Sequence, residues 1–197
     1  RENLELKEVL EDRFSFGGIL GCNHQMRALL EKIKLVAATD SPVSIVGERG
    51  TGKELVAHAI HLNSPRRDQP LIKVCCADLP EALLEAELFG HEKGAFPGAL
   101  RQRRGRFELA HKGTLLIDDI DAVSPNVQAR VWRVLQNRRF ERVGGREHIE
   151  VDVRIVCASK DDLKGGRNEA DIMGIFDDQK SADGNRRATE PDTPAGG

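Results

Sequence analysis

A glycine-rich segment, GERGTGK at residues 47–53, leaves few folds open to this chain. It follows the apolar run VSIV and precedes a helical pattern over residues 52–62. Glycines let successive backbone N–H groups converge on one point, where the N-terminus of the helix adds positive potential. The spacing G-x-x-x-x-G-K between a strand and a helix is that of a phosphate-binding loop. It predicts nucleotide binding by Gly47, Glu48, Arg49, Gly50, Thr51, Gly52, Lys53 and Glu54, although Glu54 replaces the usual serine or threonine that helps to hold Mg²⁺.

Short apolar runs alternate with helical patterns along the chain. The predicted strands are residues 43–46, 71–76, 113–120 and 153–159, and the predicted helices are 23–37, 52–62, 81–89 and a helix opened by Ser124 and Pro125. Residues 140–151 predict a hairpin that turns at Gly144 and Gly145. Buried strands that alternate with helices are typical of a parallel sheet with helices on both faces. The predicted fold class is therefore α/β with a P-loop NTPase core.

Two aspartates, Asp118 and Asp119, end the apolar run TLLIDD. In an open α/β sheet, ligands bind beyond the carboxyl ends of the strands, which is also where the glycine-rich loop lies. One carboxylate there can hold Mg²⁺ and the other can orient an attacking water. We therefore expect ATP and Mg²⁺ as cofactors, with Asp118 at the metal and Asp119 as the candidate catalytic residue. Alternatively, both aspartates are simple turn residues.

The segment GAFPGA at residues 94–99 holds one aromatic ring between glycines, which favours a projecting loop over a helix or strand. We expect Phe96 to project towards a protein partner; the alternative is a surface loop with Phe96 turned inward. The loop comprises Gly94, Ala95, Phe96, Pro97, Gly98 and Ala99, and the arginines Arg101, Arg103, Arg104 and Arg106 follow it.

Composition excludes some classes of protein. The net charge of −2, from 30 basic and 32 acidic residues, is not typical of a domain that binds DNA or a membrane surface. No apolar run approaches the roughly 18 residues that a membrane helix needs, and we expect a cytoplasmic protein. The cysteines Cys22, Cys75, Cys76 and Cys157 lack the spacing of a zinc site and are interpreted as small buried thiols.

The order of the motifs carries a resemblance to a known family. ILG (19–21), GERGTGKE (47–54), ELFGHEKGAFPGA (87–99), GRFELA (105–110), GTLLIDDI (113–120), VQARVWRVLQ (127–136), FERVGG (140–145) and VDVRI (151–155) occur in series. Together they resemble the AAA+ domain of the sigma-54-dependent, NtrC-type transcription activators, over about residues 16–165. That family also has glutamate after the P-loop lysine, so Glu54 agrees with the resemblance.

The resemblance implies a ring, usually a hexamer, with ATP at the subunit boundaries. It implies that the loop 94–99 contacts the sigma-54 RNA polymerase holoenzyme. We expect the arginines after the loop to form a solvated, partly ion-paired face; alternatively, they meet an acidic polymerase or DNA surface. It also implies a sensory domain upstream, as in two-component regulatory systems, and a C-terminal domain that binds DNA. We divide the chain into a linker helix at 1–15, the AAA+ domain at 16–165, and a degraded arginine-finger region with a disordered tail at 166–197, without the helical lid.

Several positions depart from the family pattern. Pro97 replaces the threonine of the loop, and Asp119 replaces a catalytic glutamate that is one methylene longer. Moving a catalytic base by about 1 Å away from the group on which it acts can lower the rate about 100-fold. The remaining departures are Cys75 and Lys160, which replace two asparagines, and Glu169 and Ile175, which replace two arginine fingers. The sequence predicts nucleotide binding with weak or absent hydrolysis. Alternatively, the chain is a non-hydrolysing regulatory subunit that co-assembles with an active homologue.

Overall fold

The computed structural model describes residues 24–160. The strands in that range are β1 Val43–Val46, β2 Leu71–Cys75, β3 Thr114–Asp118, β4 Arg139–Glu141, β5 His148–Glu150 and β6 Arg154–Ser159. The helices are α1 His24–Ala37, α2 Lys53–Leu62, α3 Glu81–Phe89, α4 Arg106–Leu109 and α5 Pro125–Asn137, with a 3₁₀ turn at Ile120–Ala122. The predicted linker at 1–15, the segment 166–197 and the positions Glu169 and Ile175 lie outside the described residues.

Four strands form one parallel sheet in the order β1-β6-β3-β2. Val43 pairs with Val156, and Thr114 pairs with both Arg154 and Leu71, so all four strands run in the same direction. The predicted parallel sheet is confirmed. The predicted hairpin is confirmed as well, because β4 and β5 pair antiparallel beside the main sheet.

Helices cover both faces of the sheet. On one face, Ala57 of α2 packs against Leu116 and Val156, and α1 packs against α2 and β1 through Ile33. On the other face, Leu115 and Ile117 of β3 pack into a larger core that α3, α4 and α5 complete. Because alternate side chains of a strand point to opposite faces, a strand in the middle of a sheet covered on both faces is buried throughout. All of β6 is buried, including its first residue, Arg154, whose guanidinium donates to the carbonyls of Val36 and Ala37.

Three phenylalanines join the elements next to the GAFPGA segment. The ring centroids of Phe89 and Phe107 lie 5.5 Å apart, and that of Phe140 lies 5.9 and 5.7 Å from them. This cluster connects the end of α3 to α4 and to β4. The backbones of Gly90 and Gly105 meet directly behind it, where a Cβ on either glycine would overlap backbone atoms of the opposite segment. Both ends of the loop are thus held on one rigid support.

We predict that Phe107→Ala lowers the free energy of unfolding by about 3–5 kcal/mol, because it leaves a cavity among fully buried rings. Leu35→Ala is the control, since Leu35 is 72% exposed and a change there should cost less than about 0.5 kcal/mol. Urea denaturation followed by circular dichroism measures both. Equal effects of the two substitutions would contradict the packing described.

Candidate nucleotide-binding site

The glycine-rich loop connects the end of β1 to the start of α2. The N–H of Gly47 donates to the carbonyl of Ser159 at 3.2 Å, which fixes the loop to β6. Gly50 and Gly52 have φ values of 81° and 86°, in the left-handed region that favours glycine. Gly52 is the N-cap of α2 and no side chain caps that helix. The N–H groups of its first turn are therefore available for an anion.

Lys53 folds back over this loop. Its Nζ donates to the carbonyls of Gly47 at 2.7 Å and Glu48 at 3.0 Å. The hydroxyl of Thr51 donates to the same Glu48 carbonyl at 2.8 Å. A Cβ on Gly47 would lie 2.9 Å from that hydroxyl oxygen, so a side chain at the first position of the loop would displace the Thr51 hydroxyl. The ammonium of Lys53 is thus held within the curve of the loop.

The loop and both aspartates share one cleft of about 370 Å³. The cleft opens at the carboxyl ends of the parallel strands, where the sequence places it. Its lining contains most of the predicted nucleotide-binding residues and adds the half-exposed side chain of Leu55; the full set is Arg49, Gly50, Gly52, Lys53, Glu54, Leu55, Asp118 and Asp119.

The two aspartates occupy different backbone conformations. Asp118 is the last residue of β3, whereas Asp119 follows in the left-handed region with φ 54°. Asp119 begins the 3₁₀ turn, but its side chain does not cap it. Its Oδ2 instead lies 3.9 Å from Nη2 of Arg49 and accepts a long hydrogen bond, also 3.9 Å, from the thiol of Cys75. The Asp119 carboxylate therefore faces the cleft, not the turn.

A second lysine, Lys73, pairs with two carboxylates that line this cleft, and the sequence patterns did not single it out. Nζ of Lys73 donates to Oε2 of Glu54 at 2.7 Å and lies 3.7 Å from Oδ2 of Asp118. The hydrogen bond to Glu54 raises the pKa of Lys73, with a smaller contribution from the charge of Asp118. The only sign of this lysine in the sequence is that it is the one charged residue in the apolar run LIKVCC.

The cleft fits a magnesium nucleotide better than a free metal ion. Within residues 24–160, no group of three or more His, Cys, Asp or Glu side chains is placed to hold a metal by itself. Mg²⁺ binds through one or two carboxylates together with phosphate oxygens and water. Asp118 can supply one carboxylate beside the loop that would hold the phosphates, so Asp118, Lys53 and the N-terminus of α2 suit the metal and the nucleotide together.

The GAFPGA segment forms a closed turn away from this cleft. Gly94 and Gly98 have φ values of 82° and 98°, and the N–H of Gly94 donates to the carbonyl of Ala99 at 2.8 Å. The ring of Phe96 is half-buried and meets His91 edge-on, with centroids 4.9 Å apart. The expected projection of Phe96 is therefore wrong for this structure, which shows the inward alternative: the ring lies against His91 at the base of the loop.

A clamp that sequence reasoning missed holds the base of this segment. Arg142, from the β4–β5 hairpin, donates to Glu92 at 2.8 Å and to both carboxylate oxygens of Glu108 at 2.9 and 2.7 Å. This pairing raises the pKa of the Arg142 guanidinium, chiefly through Glu108. Arg142 and Glu108 are far apart in sequence, and charged residues in FERVGG and GRFELA carry no signal that they meet.

The arginines after the segment form a partly ion-paired face, as predicted. Arg103 and Arg106 both contact Glu87, at 2.9 and 3.1 Å, and Arg104 lies 4.0 Å from Glu108. Arg101 is exposed. The side chains of Arg103 and Arg104 are largely exposed, so their ion pairs contribute little to stability.

The cysteines in the described range are free thiols. Cys76 and Cys157 are buried, and Cys75 is half-buried beside Asp119. Burial raises the pKa of Cys76 and of Cys157 to about 12, so both stay protonated and unreactive. The interpretation as small buried thiols is confirmed for these two, while Cys22 lies outside the described residues.

A parallel sheet covered on both faces, with a glycine-rich loop after β1 and paired aspartates after β3, defines a P-loop NTPase core of the AAA+ type. Residues 19–173 match the family described as the sigma-54 interaction domain, and the chain belongs to that family. The resemblance drawn from the ordered motifs is thereby confirmed.

Two similar sequences are bacterial regulators. The Nif-specific regulatory protein of Herbaspirillum seropedicae is 50% identical over 163 residues, which cover 83% of this chain and 30% of that protein. The DNA-binding transcriptional activator HyfR of Escherichia coli K12 is 49% identical over 163 residues, covering 83% of this chain and 24% of that protein. The present chain therefore spans about 30% or less of the length of these two relatives.

Crystal structures of NtrX from Brucella abortus share the fold. The complex with ATP has a TM-score of 0.73 at 34% identity, covering 89% of this chain and 38% of that one. The complex with ADP has a TM-score of 0.72 at 35% identity, covering 89% and 37%. Within residues 24–160 of the present chain, the helices are too short or too polar to cross a bilayer.

Proposed function

We propose that this chain is the ATP-binding module of a sigma-54-dependent transcriptional regulator. In this proposal, residues 47–54 hold the phosphates, Asp118 holds Mg²⁺, and the segment 94–99 contacts the sigma-54 RNA polymerase holoenzyme. The observation that carries the proposal is the cleft in which the P-loop lysine, the uncapped start of α2 and two aspartates converge. Membership of the sigma-54 interaction domain family supports the choice of partner.

Each group in the cleft has a separate task. Backbone N–H groups of residues 50–54 and the ammonium of Lys53 bind phosphate oxygens, and binding requires Nζ to leave the carbonyls that it now contacts. Bound Mg²⁺ would neutralise charge on the outer phosphates. Asp119 is left to orient water. NtrX of Brucella abortus was crystallised with ATP and with ADP, which supports nucleotide binding in a domain of this fold.

Hydrolysis is proposed to be weak. The carboxylate of Asp119 is shorter than the glutamate that the family has at this position, and it is engaged by Cys75 and Arg49. A thiol is a weak hydrogen-bond donor, so Cys75 restrains Asp119 less firmly than the family's asparagine would restrain the glutamate. The same observation favours a second candidate function, a non-hydrolysing regulatory subunit that binds nucleotide structurally and co-assembles with an active homologue.

The remaining expectations concern the whole protein. We propose a ring of identical or related subunits, a hexamer in the family, that works in the cytoplasm under the control of a sensory domain. Contact with DNA is assigned to a C-terminal domain, since the net charge of this chain is −2. The division into a linker at 1–15, the AAA+ domain at 16–165 and a tail at 166–197 is part of the same proposal.

Lys53→Ala should weaken the binding of ATP and ADP about tenfold or more, because it removes a charge-assisted hydrogen bond to phosphate. Isothermal titration calorimetry with Mg²⁺ present measures the dissociation constants. Lys32→Ala removes an equal charge from the exposed surface of α1 and should leave them unchanged. Failure of the folded wild-type chain to bind either nucleotide at millimolar concentration would refute the proposed function.

Asp119→Glu should raise the rate of ATP hydrolysis, by up to about 100-fold if the missing methylene is the main defect. Phosphate release by the wild-type chain, by Asp119→Glu and by the control Asp119→Asn measures this. A wild-type rate like that of active ring ATPases would contradict the prediction. Hydrolysis that appears only when the chain is mixed with an active homologue would favour the regulatory-subunit alternative.

Phe96→Ala should weaken binding to sigma-54, measured in the presence of an ATP transition-state mimic, because the ring would leave His91 to reach the partner. Leu100→Ala is the matched control: Leu100 is an apolar residue directly after the same segment and is 85% exposed. Unchanged binding by the Phe96 variant, or an equal loss in both variants, would count against a specific contact through Phe96.

A further inference from the structure

Lys73 is placed where three elements meet. It lies on β2, on the face of the sheet that α2 covers, opposite Leu116 of β3 in the strand register. Asp118 is two residues further along β3 and therefore points to the same face as a diagonal neighbour. Glu54 reaches the same point from the first turn of α2. The ammonium of Lys73 thus lies between a carboxylate of α2 and a carboxylate of β3.

The Lys73 ammonium lies among several carboxylates and cations at the cleft. Three carboxylates line or border the site, and an anionic nucleotide must approach all of them. Lys53 is bonded to carbonyls of the loop, and Arg49, which is 81% exposed, lies 3.9 Å from Asp119. Among the described residues, Lys73 is the cation that pairs with Glu54 and Asp118.

We propose that Lys73 is a positioning residue that sets how strongly nucleotide binding depends on Mg²⁺. Its charge offsets Glu54 and Asp118 before a metal is present, so that phosphates can enter without meeting two uncompensated carboxylates. It also holds the carboxylate of Asp118 at the end of β3, where Mg²⁺ would bind. This inference rests on the proposed nucleotide site and deepens it, since it names a metal-linked residue outside the P-loop and the two aspartates.

The test compares ADP binding in excess Mg²⁺ with ADP binding in EDTA, by calorimetry on the 197-residue chain. The measured quantity is the ratio of the EDTA dissociation constant to the Mg²⁺ dissociation constant. Lys73→Met should raise this ratio about threefold to tenfold, since a unit charge about 4 Å from a phosphate changes affinity about fivefold at the dielectric of water. Mg²⁺ can replace the lost charge, whereas EDTA leaves the carboxylates exposed to the nucleotide.

Three further variants fix the sign of the effect. Glu54→Gln removes one of the carboxylates and should lower the ratio, and the double variant Lys73→Met with Glu54→Gln should return it towards the wild-type value. Lys73→Arg, which keeps the charge, should change it least. Glu54 is half-exposed, so its substitution keeps the test decisive even if Lys73→Met folds poorly.

The outcomes separate the inference from the function on which it rests. Suppose that the wild-type chain binds ADP and that all four variants have the wild-type ratio of EDTA to Mg²⁺ dissociation constants. That result would overturn the role of Lys73 and leave the nucleotide site intact. Equal weakening in both buffers on Lys73→Met, with no opposite shift on Glu54→Gln, would show a purely structural role and would also overturn it. Absence of wild-type binding in either buffer would overturn both proposals.

Discussion

β6 lies between β1 and β3 and is hydrogen-bonded to both. The register of these two pairings sets where the glycine-rich loop and the two aspartates lie relative to each other. Val46 pairs with Ser159 and Asp118 pairs with Ala158, so the carboxyl ends of the three strands finish at the same level. The glycine-rich loop and the aspartates, some 70 residues apart in sequence, therefore open into one cleft. A shift of one residue in the β3–β6 ladder would turn the Asp118 side chain to the other face of the sheet.

The cleft is built from opposed charges close to one another. Lys53, Arg49 and Lys73 supply positive charge, whereas Glu54, Asp118 and Asp119 supply negative charge. Because positive and negative side chains are nearly equal in number, the cleft suits a ligand that carries both positive and negative charge, as a magnesium nucleotide does. An isolated metal ion would meet too few carboxylates, and a nucleotide without metal would depend on the lysines.

The GAFPGA segment is anchored by separate forces. Stacked phenylalanines hold its two ends, and Arg142 ties its base to the hairpin through two glutamates. Phe96 meets His91 edge-on and lines a small cleft together with Leu83 of α3. This arrangement allows the ring to leave the surface while the base stays fixed, because the left-handed glycines Gly94 and Gly98 flank the tip.

Periodicity and local motifs determined the fold class. The strands, the start of α5 at Ser124 and Pro125, the hairpin and the P-loop could all be predicted because each depends on neighbouring residues. The candidate site was predictable in part for the same reason, since G-x-x-x-x-G-K and the aspartates are local signals. What only the tertiary structure decided are the long-range pairs of charges, Lys73 with Glu54 and Asp118, and Arg142 with Glu92 and Glu108. The sequence pattern around a single charged residue does not show which distant residue it will pair with. The inward orientation of Phe96 was likewise decided by the fold, which places His91 beneath the ring.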